Sequence, residues 1–300
     1  MKSALVFSPE VAAALASNSP IVALESTIIS HGLPRPSNLN VAREVEAIVR
    51  EHGATPATIA ILDGVVHIGL TDEQLVAIAN RDDISKASSR DLAILVASKK
   101  SAATTVAATA HLAAQAGIKV FATGGLGGVH RGADESFDES ADLTALSTLD
   151  ITVVCAGVKS ILDVGATLER LETLAIGLVG YKTTAFPGFY LTDSGFTIEH
   201  RVDSAADIAA VIKARASVGT NGAVLLVANP VVKEMNRAKH DQILATGLAK
   251  ADAAHITGKD VTPFLLEHFH TTSQGESLSV NIEIIKSNSA LAADIAVASN

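Results

Sequence analysis

The chain has 300 residues, a formal net charge of −9, 48% hydrophobic residues and only 3% aromatic ones. A chain of this length can bury a large core. Its aliphatic composition, without tryptophan, favours a Val/Ile-rich sheet packed against Ala-rich helices. The negative charge argues against nucleic acid or an anionic membrane as the main partner.

Two hydrophobic segments and one cysteine bear on the compartment. The apolar N-terminal run is interrupted by Pro9 and Glu10, so it does not predict a signal peptide. Residues 101–118 carry no formal charge but are rich in Ala and Thr and contain His111, which favours a buried helix over a membrane span. Cys155 is the only cysteine, so no disulfide can form within the chain, and we expect a reducing, cytoplasmic location.

The first part of the chain predicts a strand, a helix, a hairpin and a second helix. Pro20 precedes the strand IVALES, and the loop HGLPRPSN leads into a helix that ends at Gly53. The segment TIAILDGVVHIGL predicts two antiparallel strands joined by a type I′ turn at its Asp-Gly pair. Thr71 and Gln74 have the spacing of a capping box, which predicts the start of the next helix.

The rest of the chain alternates strands with helices. The predicted strands are residues 118–123, 151–156, 176–181 and 223–228. Such alternation favours a parallel sheet, and ligands of such sheets bind outside the carboxyl ends of the strands. We therefore predict an α/β fold, a single α/β/α sandwich domain over residues 1–300 with a mixed, largely parallel sheet.

The stretch ATGGLGGVHRGADESFDESADL follows one of these strands. Gly125 and Gly127 begin a dinucleotide-binding pattern, but His130 stands where its third glycine belongs, so the pattern fails. Four glycines in five positions after a strand favour a ligand-facing loop over a plain turn. The acidic residues that follow, among them Asp138 and Asp142, form either a solvated face or oxygen ligands for Mg²⁺ or Mn²⁺.

Charged residues also stand next to apolar runs. Glu25 ends an apolar strand, where it serves as a cap or ion-pair partner, or as a general acid–base whose pKa is tuned by burial. His31 lies close by in the sequence, without a pattern that assigns it a role. Lys86 and Arg90 lie in DISKASSRDL, either as a solvated cluster or as a phosphate pocket.

The segment VVCAGVKSILDVG places Lys159 between a buried strand and the predicted start of a helix. A lysine there either extends to solvent, or is held where burial and the helix dipole lower the pKa of its amine. A neutral amine can form a Schiff base with a carbonyl, such as that of a ring-opened pentose phosphate. The residues alone leave two classes open: a Schiff-base lyase or glycosidase acting on a sugar phosphate, and a non-catalytic nucleotide or sugar-phosphate binding protein.

Blocks of sequence along nearly the whole chain match one family in order. They are VALESTIISHGLPRPSN, SRDL, ATTVAAT, FATGGLGGVHRGA, FDESADL, VCAGVKSILDVG, GKDVTPFLL and ESLSVNI. In these blocks the chain resembles the pseudouridine-5′-phosphate glycosidase family. The resemblance implies reversible cleavage of the C1′–C5 bond of pseudouridine 5′-phosphate to uracil and ribose 5-phosphate. It also implies a divalent metal, typically Mn²⁺, and a homotrimer with an α/β/α core.

The resemblance further implies roles for individual residues. Lys159 matches the lysine that forms an imine with C1′ of the ring-opened ribose, and Glu25 matches the acid that moves protons during ring opening and bond cleavage. Asp138 matches the metal position. The implied substrate contacts are Lys86, Val106, Ser140, Ala141, Asp142 and Asn281, the last of which faces uracil.

Imine chemistry suits a carbon–carbon glycosidic bond, because that bond has no leaving heteroatom to protonate. An iminium at C1′ provides an electron sink, and C5 of uracil must gain a proton from a nearby acid. Three positions depart from the family's pattern: Ser89 replaces a common arginine, NPVV replaces NPIP at Asn229, and KSNSA differs near the C-terminus. We expect the first to weaken phosphate binding and the others to affect packing. A lysine-dependent aldolase or lyase acting on another pentose 5-phosphate is the alternative activity.

Overall fold

The computed structural model describes residues 5–257 and 261–300, so the first three residues of the GKDVTPFLL block lie outside the described residues. The strands are β1 (Leu5–Phe7), β2 (Ile21–Leu24), β3 (Thr55–Leu62), β4 (Val65–Ile68), β5 (Ser85–Ala87), β6 (Ala102–Thr104), β7 (Val120–Ala122), β8 (Thr152–Cys155), β9 (Gly177–Tyr181), β10 (Arg201–Val202) and β11 (Leu225–Ala228). The helices are α1 (Pro9–Ala16), α2 (Ser37–Glu51), α3 (Asp72–Asn80), α4 (Leu92–Ala97), α5 (Val106–Gln115), α6 (Ala133–Ser136), α7 (Ala141–Leu146), α8 (Val164–Thr173), α9 (Ala205–Val218), α10 (Arg237–Ala253), α11 (Val261–Thr272) and α12 (Glu276–Ala298). A π-helical turn (Ile28–Gly32) and a 3₁₀ turn (Ser89–Asp91) lie between them.

The strands form one sheet whose centre is parallel. Its order is β1-β4-β3-β2-β7-β8-β11-β9-β10, with β6 also paired to β3 and β5 paired to β6. Strand β3 pairs antiparallel with β4 and β6, whereas the other pairs among the described strands are parallel. The predicted α/β fold with a mixed, largely parallel sheet is confirmed.

Helices cover both faces of the sheet because successive side chains of a strand point to opposite faces. In β8, Val153 and Cys155 join a core that includes side chains of α5, α10 and α11. Val154, between them, joins a second core with side chains of α2, α9 and α12. Burial on both faces explains why the central strands are continuous apolar runs.

Local predictions in the first part of the chain are confirmed, with one exception. Asp63 and Gly64 have φ angles of 50° and 81°, as the two positions of a type I′ turn require. Both hydrogen bonds of the Thr71–Gln74 capping box are present. The predicted helix over 101–118 is wrong at its start, because Ala102–Thr104 pair with β3 and β5 instead. None of the helices in the described part of the chain has the length and apolar character needed to cross a bilayer.

The order of the strands reverses beside β2. The chain passes from β2 to β3 on one side of it and later returns to β7 on the other side. In open parallel sheets such a reversal opens a crevice outside the carboxyl ends of the two strands. Glu25 directly follows β2 and Thr123 directly follows β7, so both lie at this crevice.

Candidate active site

Glu25 and Thr123 leave neighbouring parallel strands side by side, because Leu24 and Ala122 are paired in register. The Thr123 hydroxyl donates a hydrogen bond to the Glu25 carboxylate. Burial raises the pKa of the Glu25 carboxyl, and the charge of Lys159 and the hydrogen bond from Thr123 oppose that rise only in part. A carboxyl with a raised pKa suits proton donation near neutral pH.

Lys159 lies in the loop that follows β8. Strand β8 pairs with β7 on the side away from β2. Its Nζ donates a hydrogen bond of 2.6 Å to the backbone carbonyl of Gly125. Helix α8 begins only at Val164, so the expectation that Lys159 stands at a helix N-terminus is wrong. The charge of Lys159 acts on Glu25 and on Lys86, which means that the three side chains lie close together.

Lys86 reaches this cleft from β5. The Lys86 side chain remains exposed. Partial desolvation by neighbouring protein atoms, together with the charge of Lys159, nevertheless lowers the pKa of its amine. Arg90 does not join it: its side chain is 82% exposed, and its ion-pair partner is Asp91 at 3.7 Å. Of the two cations in the predicted phosphate pocket, the structure brings Lys86 to the site.

Two hydroxyl groups close to Lys86 in the fold have no hydrogen-bond partner within the described residues. They are Ser88 Oγ and Thr105 Oγ1, both shielded from solvent. The backbone N–H of Thr105 donates to Ala87 at 2.9 Å, which holds the two segments together. Val106 begins α5 with its side chain buried, so it can meet a ligand through the backbone N–H of the first helical turn.

The glycine-rich loop after β7 is packed closely against protein groups. A Cβ atom at Gly125 would lie 2.6 Å from the ring of Phe189, and one at Gly127 would lie 2.2 Å from Ser140 Oγ. These contacts by themselves require glycine at the two positions. The loop still faces the cleft, through the Gly125 carbonyl that accepts from Lys159.

Asp142 holds the glycine-rich loop in place. Its Oδ1 accepts from the N–H of Ala107 at 2.9 Å, and its Oδ2 accepts from the N–H of Gly127 at 2.8 Å. Ser140 caps α7 by accepting from the Asp142 N–H at 3.2 Å, and Ala141 is exposed. Because backbone groups occupy both oxygens, the Asp142 carboxylate organises the loop and the start of α5. The substrate contacts of Ser140, Ala141 and Asp142 stay a prediction.

Asp138 follows the glycine-rich loop, with its Oδ2 3.7 Å from Nδ1 of His130. Its carboxylate accepts no hydrogen bond from the described residues. No group of three His, Cys, Asp or Glu side chains in residues 5–257 and 261–300 is placed to hold a metal ion. A metal at Asp138 would therefore take its remaining ligands from water or substrate, an arrangement typical of Mg²⁺ sites.

Helix α12 brings Asn281 to the glycine-rich loop: a Cβ at Gly124 would lie 3.6 Å from Asn281 Oδ1. Two further asparagines fasten the helix there. Asn288 donates to the carbonyl of Thr123 at 2.7 Å, and Asn229, which follows β11, donates to Asn288 Oδ1 at 2.9 Å. The departures at NPVV and KSNSA thus retain an asparagine pair that joins α12 to the ends of two strands.

Sequence reasoning missed Thr123, Phe189 and His240 at or near this site. Thr123 could have been identified from the sequence, because it is the last residue of a predicted strand that leads into the glycine-rich loop. Cys155 is unsuited to nucleophilic chemistry, because burial raises the pKa of its thiol to about 12 and the thiolate is not formed at neutral pH.

The chain is similar in sequence to a family model and to a named protein over nearly its whole length. Residues 10–298 match the model of the family described as indigoidine synthase A like protein. A Salinispora tropica protein named pseudouridine-5′-phosphate glycosidase is 58% identical over 292 residues, which cover 97% of this chain and 90% of the relative.

Two solved structures share the fold over nearly their whole length. An indigoidine synthase A-like protein from Thermotoga maritima superposes with a TM-score of 0.88 at 36% identity, over 98% of this chain and 95% of the other. The prealnumycin C-glycosynthase AlnA, in complex with ribulose 5-phosphate, superposes with a TM-score of 0.91 at 34% identity, over 98% and 96% of the two chains.

Proposed function

The chain belongs to the indigoidine synthase A-like family and to the pseudouridine-5′-phosphate glycosidases, and we propose that it reversibly cleaves the C1′–C5 bond of pseudouridine 5′-phosphate to uracil and ribose 5-phosphate. The observation that carries the proposal is the meeting of Lys159 with Glu25, a carboxyl of raised pKa, beyond the ends of the parallel strands β8 and β2, which lie on either side of β7. AlnA, named as a C-glycosynthase and bound to a sugar phosphate, supports the same class of bond and ligand.

Lys159 is the nucleophile in this proposal. Attack of its neutral amine on C1′ opens the ribose ring as the ring oxygen takes a proton. The nitrogen lone pair then forms the C1′=N bond while the C1′–C5 bond breaks and C5 of uracil gains a proton. Water attacks the resulting iminium, releases ribose 5-phosphate and restores the amine.

Glu25 supplies the protons for these steps. Ring opening and the departure of uracil each add one proton to an atom of the substrate, so the donor must be protonated when the substrate binds. Burial favours the protonated form of Glu25, and Thr123 orients the carboxyl by its hydrogen bond. After ring opening, the Glu25 carboxylate takes a proton from the attacking nitrogen, which frees the nitrogen lone pair, and then gives that proton to C5 of uracil. The carboxyl recovers a proton from the water that releases the sugar phosphate.

The 5′-phosphate binds in this proposal beside Lys86, at the start of α5. An anion there would meet the Lys86 amine, the Val106 N–H and the Ser88 and Thr105 hydroxyls that lack protein partners. The positive end of the α5 dipole adds to this preference for negative charge.

Substituting Thr105→Val is expected to raise KM for pseudouridine 5′-phosphate by roughly ten- to a hundredfold, because the variant loses one hydrogen bond to a charged group. The turnover number stays close to that of the unmodified chain, because the proposed role of Thr105 is to bind the phosphate and not to take part in bond breaking. Steady-state kinetics measure both values. Thr173→Val, which removes an exposed hydroxyl on α8, serves as the control. An unchanged KM in Thr105→Val would place the phosphate elsewhere.

We also propose that Asp138 binds Mn²⁺ as the single protein carboxylate of a largely hydrated site. When bound, the ion would act as a Lewis acid towards an oxygen of the substrate. The half-buried carboxylate without a hydrogen-bond donor supports this assignment, and His130 lies beside it.

Ultraviolet absorbance during incubation with pseudouridine 5′-phosphate and Mn²⁺ tests the proposed activity. We expect release of uracil, and loss of that release on adding a chelator or on substituting Asp138→Asn. Turnover of another pentose 5-phosphate in place of this substrate would favour a lysine-dependent aldolase or lyase. Binding without any product would indicate a sugar-phosphate binding protein.

The assembly and location proposed for the chain are a homotrimer in the cytoplasm, with a small-molecule substrate and no nucleic-acid partner. The family resemblance supports the trimer, and the single buried thiol supports a reducing compartment. Light scattering on the purified chain measures the mass of the assembly, and a monomer or dimer would contradict the trimer.

A further inference from the structure

A chain of hydrogen bonds behind the cleft ends on Ser160, the residue that follows Lys159. His240 lies on α10, with its Nε2 2.7 Å from Ser160 Oγ and its Nδ1 2.9 Å from Asp241 Oδ1. Ser160 and His240 are 7% and 3% exposed, whereas the Asp241 side chain is 62% exposed. The chain of bonds thus connects the interior beside the lysine with the surface.

The chemistry of the three groups fixes the direction of each hydrogen bond. An ionised carboxylate only accepts, so His240 Nδ1 donates to Asp241, and Nε2 is left to accept the Ser160 hydroxyl proton. Burial lowers the pKa of His240, and the hydrogen bond to Asp241 opposes this effect. The imidazole is therefore neutral at pH 7.

The Ser–His–Asp order is that of a hydrolase triad, but its surroundings exclude that role. Ser160 Oγ is enclosed, and among the residues that the structure describes its side chain hydrogen bonds to His240 alone, so no acyl substrate can reach it. The His240 ring is also confined, with its centroid 5.3 Å from that of Phe269 and 6.4 Å from that of Tyr190. A fixed, neutral imidazole is therefore better suited to holding Ser160 in place than to catalysing acyl transfer.

Ser160 is held from a second direction as well. Arg131 donates to the carbonyls of Ser160 and Ile161 at 3.5 and 3.3 Å. The backbone just after Lys159 is thus fixed through a side chain and through two carbonyls. The Lys159 amine, at the end of a long flexible stem, then needs only its bond to the Gly125 carbonyl to be aimed.

We propose that His240 is a positioning residue that, by holding Ser160, fixes the backbone from which Lys159 is aimed at the sugar carbon. The inference rests on the proposed function, because it deepens the role of the same lysine. Loss of His240 should slow imine formation without weakening substrate binding, since its hydrogen bonds go to Ser160 and Asp241 and not to the groups proposed to bind the phosphate.

Variants of His240 and Ser160 test this role through kcat, KM and the rate of borohydride trapping with ribose 5-phosphate. His240→Phe keeps the ring volume, and we expect it to lower kcat by roughly ten- to a hundredfold with KM changed less than about twofold. His240→Gln, whose amide can reach Ser160, should restore most of the loss. Ser160→Ala should match His240→Phe, and the double variant should fall no further than the lower single one.

His268→Phe is the matched control. His268 is a buried histidine of α11 that forms a hydrogen bond of 3.1 Å with Thr246 of α10 and none with Ser160. We expect it to keep kcat. An unchanged kcat in His240→Phe and Ser160→Ala, or an equal loss in His240→Phe and His240→Gln, would overturn the positioning role. Failure of the unmodified chain to release uracil would contradict the proposed function, and the trapping rates would still decide the role of His240.

Discussion

Lys159→Met is expected to lower kcat/KM for uracil release by at least about four orders of magnitude, as removal of a nucleophile does in other covalent enzymes. Methionine keeps the length and the apolar stem of lysine but has no amine to attack C1′. Continuous ultraviolet assays over a range of pseudouridine 5′-phosphate concentrations measure the loss.

The same substitution separates chemistry from binding. Lys86 and the start of α5 are untouched in Lys159→Met, so calorimetry should still detect binding of ribose 5-phosphate. Lys119→Met is the control, because Lys119 is an exposed lysine paired with Asp150 at 2.9 Å, and its loss should leave turnover unchanged. Turnover of Lys159→Met within tenfold of the unmodified chain would rule out a lysine nucleophile.

Glu25→Gln is expected to lower kcat by about two to four orders of magnitude, the usual contribution of a positioned acid. Glutamine keeps the shape of the side chain and a hydrogen bond with Thr123, but it cannot deliver a proton. Glu135→Gln changes an exposed carboxyl on α6 and should keep full turnover. A Glu25→Gln variant with ordinary kcat would assign the proton transfers to another group.

The stability of Glu25→Gln supplies an independent readout. The pKa of Glu25 is raised in the folded chain, so the folded state binds the proton more tightly than the unfolded state. The stabilisation is full below the unfolded pKa, near 4.5, and is lost as pH rises through the raised folded value. Thermal unfolding between pH 4 and 8 should therefore show a falling stability that Glu25→Gln lacks. A variant less stable than the unmodified chain at neutral pH would contradict this sign.

The sequence was informative wherever a signal is local. Apolar runs, the Asp63-Gly64 turn and the Thr71–Gln74 cap depend on residues a few positions apart, and the structure bears them out. The rule that ligands bind at the carboxyl ends of parallel strands also placed Glu25 and Lys159 correctly at the ends of β2 and β8.

Contacts between distant segments were not predictable in the same way. His240 and Ser160 lie 80 positions apart, and only the packing of α10 against the loop after β8 brings them together. The reason for glycine at Gly127 was also hidden, since the side chain that excludes a Cβ there belongs to Ser140, 13 positions later.

The surroundings of Lys159 differ from those that the sequence predicted. The sequence suggested a helix N-terminus, but α8 starts five residues after the lysine. In place of a helix end, the structure puts Glu25, Lys86 and the carbonyl of Gly125 near the Lys159 amine. The register of β5, β2 and β8 sets these neighbours, and no short motif records it.

Reductive trapping tests the lysine imine most directly. The unmodified chain is incubated with ribose 5-phosphate and borohydride and is then digested with a protease. The masses of its peptides are measured by mass spectrometry. We expect a reduced pentose phosphate adduct on Lys159 that increases with ribose 5-phosphate concentration and is absent from Lys159→Met. An adduct confined to other lysines, or no adduct in a preparation that releases uracil, would show that the carbon–carbon bond is broken without this imine.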